Sequence, residues 1–249
     1  MIQLLRIATV VVLSAVSLVS AQTYRMTSLS WPPYSDPDIA QQGASVAVAK
    51  AAFRAMGHDL HVDFFPWSRA VRLAQVDNNY IGYFPEYFYQ TSQFLFSDPI
   101  GTGPLGLVQN IETPIQWTKV TDLKKYRLGV VQDYVNTAEI DRLIANREIL
   151  VEEVITDAQN VLKVATNRID TAIIDANVFN FLTTENAFVS RIADRVEMNP
   201  KYLVDKQLFV SFRNNTIGKQ AREIFNEGLT KIDIEEIMSR YMTDVRNGQ

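Results

Sequence analysis

Phe94-Leu95-Phe96-Ser97-Asp98-Pro99-Ile100 ends an apolar, strand-like run in a proline-bearing turn. Two earlier stretches, Trp31-Pro32-Pro33-Tyr34 and Pro66-Trp67-Ser68-Arg69, do the same. Open α/β sheets bind ligands outside the carboxyl ends of their strands. The three segments are therefore expected to wall one side of a ligand cleft.

The chain around them alternates between two periodicities. Tyr24 to Ser30 reads as a strand, and Trp31 to Pro37 as an irregular loop, because proline removes donors and restricts its neighbours. Val46, Ala49, Ala52, Phe53 and Met56 recur at helical spacing over 44–56, with Gly57 as the stop. Leu60, Val62 and Phe64 alternate with His61 and Asp63, which predicts a half-buried strand. A helix is expected from Trp67, just after Pro66, and a third strand over 80–84, closed by Pro85. A fourth follows over 105–108, after a Gly101-Thr102-Gly103-Pro104 turn. Such β-α-β-α-β order implies a mostly parallel sheet flanked by helices.

The pattern breaks at 110–114 and then restarts. Strands are expected at 127–131, 150–154 and 171–174, with helices at 137–145, 158–166 and 176–182. A last strand at 208–212 precedes helices at 217–232 and 234–241; Ile217, Ala221, Ile224, Phe225, Leu229 and Ile232 mark one apolar stripe. The fold class is α/β, with two blocks suggesting two lobes.

Composition and address narrow the function. Ile7 to Val19 is apolar and uncharged behind Arg6, and Val19-Ser20-Ala21 supplies the small residues that a signal peptidase reads. The run is shorter than the about 20 residues needed to cross a bilayer. Residues 1–21 are thus expected to be a cleaved secretory signal, and the missing Cys speaks against a lipid anchor there. A net charge of −4 disfavours nucleic acid and anionic lipid as partners. Zero Cys excludes disulfides, thiol catalysis and thiolate metal sites. An exported chain without disulfides must rely on its core, which 47% hydrophobic residues allow.

Little points to catalysis or to a metal. There is no phosphate loop, no GxGxxG and no HExxH. The two histidines, His58 and His61, read as surface residues on opposite faces rather than as a metal pair, and neither suits a Ser-His-Asp triad. Two carboxylates end strands: Glu86 after Tyr83-Phe84-Pro85, and Asp175 after Thr171-Ala172-Ile173-Ile174. Each can accept strong hydrogen bonds from a cationic or donor group; Asp175 is equally suited to cap the helix that starts at Ala176. Trp31, Tyr34 and Tyr83 are the aromatic cleft candidates; Trp67 divides evenly between cleft and core.

The order of Trp31-Pro32-Pro33-Tyr34, Pro66-Trp67-Ser68-Arg69-Ala70 and Phe96-Ser97-Asp98-Pro99-Ile100 resembles the bacterial extracellular solute-binding proteins, family 3, of the polar amino-acid type. Thr121 to Val131 is similar to that family's entry into its second lobe. Asn167 to Asp175 is similar to a later segment, with Asn167 where Gly is usual. The resemblance implies a periplasmic-binding-protein-like II fold. Its lobes would be 22–108 plus 206–249 and 109–205, joined by two crossings, with the C-terminal helices returning to the first lobe. It further implies a monomer in the periplasm, without cofactor, that closes on a small polar solute and is read by an ABC-type permease or a sensor.

One departure stands out. Ahead of the Phe96-Ser97-Asp98-Pro99 segment the family usually carries an Arg that grips an α-carboxylate; Tyr89 stands there, a donor without charge. Arg69 is the candidate substitute. Backbone N–H groups near Asn136 and Thr137 are a second place for an anion. The ligand set expected from the sequence is therefore Trp31, Tyr34, Trp67, Arg69, Tyr83, Glu86, Tyr89 and Asp175. Two other readings remain at this point. One is a periplasmic dehydratase or lyase on the same fold, using Glu86 or Asp175. The other is a ligand-sensing module.

Overall fold

The computed structural model describes residues 21–247; the expected signal segment lies outside them, apart from Ala21. The first part of the chain runs β1 (Thr23–Ser28), α1 (Ala44–Ala55), β2 (Asp59–Phe64), α2 (Trp67–Val76), β3 (Gly82–Tyr87), β4 (Phe94–Phe96) and β5 (Gly101–Asn110). The second runs β6 (Leu128–Val131), α3 (Ala138–Ala145), β7 (Val151–Val154), α4 (Asp157–Ala165), β8 (Thr171–Asp175) and α5 (Ala176–Glu185). The chain ends with β9 (Val196–Met198), β10 (Val204–Arg213), α6 (Thr216–Leu229) and α7 (Ile234–Asn247).

All ten strands join one sheet, in the order β2-β1-β3-β10-β5-β8-β6-β7, with β4 added to β10 and β9 to β5. Each end of that sheet is a parallel wing. In the first, β1 lies between β2 and β3; in the second, β6 lies between β8 and β7. Between the wings, β5 and β10 are antiparallel, pairing Gly101–Leu105 with Val204–Leu208. From Leu105 to Gln109, the other side of β5 pairs with β8. The two crossing segments are thus themselves strands.

Two expectations change here. Pro85 does not close β3 but sits inside it. The β3–β10 register shifts between Phe209 and Ser211, opposite Pro85, and such an irregularity is where a strand tolerates a missing N–H. Gly101 to Pro104 is not a turn but the first half of β5. At Pro104 the β8 ladder has not yet begun, so the absent donor costs no bond on that side. Both errors share a cause: β10, more than 100 residues away, supplies the pairing, and local propensity does not register it.

The C-terminal helices pack on α1, in the first wing. Ala52 and Phe53 of α1 and Ala221, Phe225 and Leu229 of α6 are buried together, with the Phe53 and Phe225 rings 5.2 Å apart. Gly228 makes this approach possible, since a Cβ there would run into the Ala52 carbonyl. Across the wing, Arg213 at the end of β10 caps α2. Its Nε donates to the Ala74 carbonyl at 2.8 Å, its Nη1 to Asn78 Oδ1 at 2.9 Å, and its Nη2 to the Asp77 carbonyl. A guanidinium suits the negative end of a helix and satisfies carbonyls that the last turn leaves open.

Because α2 begins at Trp67, this cap bears on the site described next. Arg213→Met keeps the aliphatic stem but removes the donors. It is expected to lower stability by about 2 kcal/mol, the range for lost hydrogen bonds to a charged group, measured by urea denaturation.

Candidate functional site

Two sets of three parallel strands, one in each wing, point their carboxyl ends at one region. The segments leaving β1, β2 and β3 carry Trp31 and Tyr34, Trp67, and Glu86 and Tyr87; those leaving β6, β7 and β8 carry Asp133 and Tyr134, Asp157, and Asp175. The strand order reverses where the wings meet, the position at which open sheets present a crevice.

The wings touch there through polar side chains. The Tyr34 hydroxyl lies 3.1 and 3.2 Å from the two Asp175 carboxyl oxygens and accepts a bond from Asn177 Nδ2 at 2.8 Å. Asp175 also caps α5: its Oδ1 accepts from the Asn177 and Val178 N–H groups at 2.8 and 3.2 Å. The cap and the cross-wing contact therefore use one carboxyl. The indole N–H of Trp67 donates to the Asp133 carbonyl at 3.1 Å, and Ser68 Oγ bonds the Asp133 carboxylate. Asp133 holds a left-handed conformation, φ 61°, which Asp tolerates better than most residues. Lys206 on β10 donates to the Asn136 carbonyl at 2.8 Å, with its ammonium 4.7 Å from the centre of the Tyr87 ring.

Of the residues expected from the sequence, seven come together and one does not. Trp31 stacks on Tyr34 with ring centres 4.6 Å apart. Trp67 meets Tyr83 and Tyr134 edge-on, at 5.3 and 6.0 Å. Tyr83 donates to Glu86 Oε2 at 3.2 Å and bonds the Tyr89 hydroxyl at 2.9 Å, so Tyr89 sits half-buried at the margin. Arg69 is exposed, its guanidinium 4.9 Å from the centre of the Phe65 ring, and does not join the cluster. The turn at Asn136 is also occupied from within: Asp141 accepts from its backbone N–H at 3.1 Å and from its Nδ2 at 2.8 Å.

Sequence reading missed Tyr87, Tyr134, Asp157 and Lys206 as site residues. Asp157 follows a strand, as Glu86 and Asp175 do, so the same rule would have found it. Lys206 was hidden because β10 starts four residues before the apolar run that marked it.

Burial dominates the electrostatics. The Glu86 carboxyl is raised to about 8, chiefly by loss of water, although the Tyr87 N–H at 2.8 Å favours its ionised form. Asp157 and Asp175 are each raised to about 7, again chiefly by burial; for Asp157 the charge of Asp175 adds to it. Lys206 is lowered for the same reason, desolvation disfavouring its charge. Among the described residues no group of three or more His, Asp or Glu could hold a metal ion.

These shifts fix the sign of a pH effect. Raised carboxyls keep protons that the unfolded chain loses above about pH 4 to 5. The folded, unliganded protein is therefore expected to be most stable near pH 5 and to weaken towards pH 8, by up to about 1.4 kcal/mol per pH unit for each retained proton. Thermal melts from pH 5 to 8 check this, and Glu86→Gln should flatten the upper part of the curve.

Between the wings lies a cavity of about 20 Å³, lined by Trp31, Trp67, Glu86, Tyr87 and Tyr134 among others. That is room for about one water molecule. A groove of about 350 Å³ leads past Phe65 and Trp67 on one side and Ile155 and Asp157 on the other, and shares Leu29, Trp67 and Tyr134 with the cavity.

No protein-family model and no curated protein matches the sequence. Solved structures do match. A histidine kinase sensor domain with similarity to periplasmic binding proteins is 16% identical over 91% of this chain and 95% of its own, with a TM-score of 0.72. An ancestral arginine-binding protein bound to arginine is 14% identical over 89% and 97%, at 0.71. A structure reported for glutathione import via GshT and the cystine ABC importer of Streptococcus mutans is 18% identical over 90% and 95%, at 0.71. At such identities the likeness carries the architecture: the chain has the α/β fold of the periplasmic binding proteins.

Proposed function

We propose that this chain is a solute-binding protein of the family 3 type. It captures a small polar solute, amino acid-like, an amine or an organic acid, between two lobes made of 22–108 plus 206–249 and of 109–205. The observation that carries this reading is the set of polar bridges between the wings: Tyr34 to Asp175, Trp67 and Ser68 to Asp133, and Lys206 to Asn136. They gather at strand ends from both sides, where closing removes a ligand from water and opening releases it.

The protein acts by holding, not by reacting. Each Glu86 oxygen already accepts one hydrogen bond, from the Tyr83 hydroxyl and from the Tyr87 N–H, and Asp175 serves a helix cap and meets Tyr34. The segment 1–21 exports the chain to the periplasm. There a membrane permease or a sensor reads the closed form of a monomer.

Thermal-shift screening of the chain against amino acids, amines, short peptides and organic acids tests the proposal. A solute at 100 times its dissociation constant adds about 2.7 kcal/mol. In parallel, Asp175→Asn keeps an oxygen for the α5 cap while removing the charge; it is expected to weaken binding of the stabilising solute about tenfold or more. A folded chain that no small solute stabilises would end this reading.

A further inference from the structure

We infer that the solute is a small organic cation, its positive nitrogen seated among the rings of Trp31, Trp67, Tyr87 and Tyr134 and against the carboxyl of Glu86. This deepens the solute-binding reading and rests on it.

The lining of the cleft carries the argument. Four aromatic side chains and Glu86 face one cavity, and the groove that leads to it adds the Phe65 ring and the Asp157 carboxyl. Ring faces attract ammonium and methylated ammonium groups, most strongly once water is excluded. One such contact already exists: the Lys206 ammonium stands over the Tyr87 ring.

The charge balance favours the same class. Glu86, Asp157 and Asp175 are buried around the cleft, and Lys206 is the ammonium that acts on Glu86 there. Asp141 faces the same Lys206 and adds negative potential behind it. The places where an anion was expected are engaged elsewhere. Arg69 lies outside over Phe65, and the Asn136 turn is filled by Asp141. A cation would favour the ionised form of Glu86 and pair with the carboxylate left when its proton departs to solvent, whereas a carboxylate solute gains no such partner there.

A further group is left waiting. The Tyr87 hydroxyl is buried and has no hydrogen-bond partner among the described residues, although an unmet buried hydroxyl is costly. It lies within electrostatic reach of Asp175, Tyr34, Asp157 and Tyr134, in the middle of the cleft. A solute carrying an N–H or O–H next to its positive centre would satisfy it. The groove has the volume for a molecule of this size once Trp67 and Tyr134 part.

Titration calorimetry on the full chain with matched pairs tests the charge alone. The pairs are choline with 3,3-dimethylbutan-1-ol, 1,4-diaminobutane with butane-1,4-diol, and L-arginine with L-citrulline; succinate and L-glutamate serve as anions. The expected result is that the cation of at least one pair binds about tenfold or more tighter than its neutral partner, and that neither anion binds. Glu86→Gln should weaken that cation about tenfold or more. Tyr87→Phe, which removes a hydroxyl that bonds nothing in the unliganded fold, should weaken it without lowering the melting temperature. If a neutral or anionic probe binds as tightly as any cation, or if Glu86→Gln binds the cation like the parent chain, this inference is overturned while solute capture stands. If none of these probes nor any solute of the wider screen binds, both readings fall.

Discussion

A carboxyl at the end of β8 holds the two wings to each other. Asp175 begins α5 in one wing and meets the Tyr34 hydroxyl from the other, so a single buried group serves helix, sheet and cleft at once. Burial of an acid is unfavourable unless its bonds are met, and here both backbone and phenol meet them. Gly103 stands directly behind. A Cβ at that position of β5 would run into the Asp175 carboxyl and the Tyr34 hydroxyl, so the crossing strand must be bare where the wings come closest.

Charge in the cleft is arranged against the usual preference of proteins to keep acids in water. Glu86, Asp157 and Asp175 sit among Trp31, Tyr34, Trp67, Tyr83, Tyr87 and Tyr134, and their surroundings push all three towards the neutral form. Functional sites are where burial and like charges are commonly arranged to shift acids in this way. The exposed ion pairs, such as Arg25 with Asp63 at 2.7 Å, carry no such meaning and contribute little to stability.

Much of the fold was legible in the chain. The period of the α1 stripe, the alternation at Leu60, Val62 and Phe64, and Pro66 ahead of α2 are local signals, and the elements they predict are present to within a residue or two. Asp175 as a cap was legible for the same reason, as a short acid before an apolar helix. What escaped depends on partners far along the chain. Pro85 and Pro104 read as strand ends because nothing nearby reveals that β10 will pair with them. Arg69 looked like the missing cation because helical spacing says which residue is present but not that Phe65 draws it aside. Tyr87 was one aromatic among many until the sheet turned it inwards.

The ladder between β5 and β10 has a mechanical consequence. Five consecutive residue pairs, Gly101–Leu105 with Val204–Leu208, connect the wings in place of loose linkers. Paired strands resist stretching and in-plane shear but change their coil readily. Were the wings to part, torsion about the ladder is the motion that would leave its hydrogen bonds intact. The amide protons that bond across this ladder should stay protected from solvent exchange, so that the axle would outlast any motion it permits.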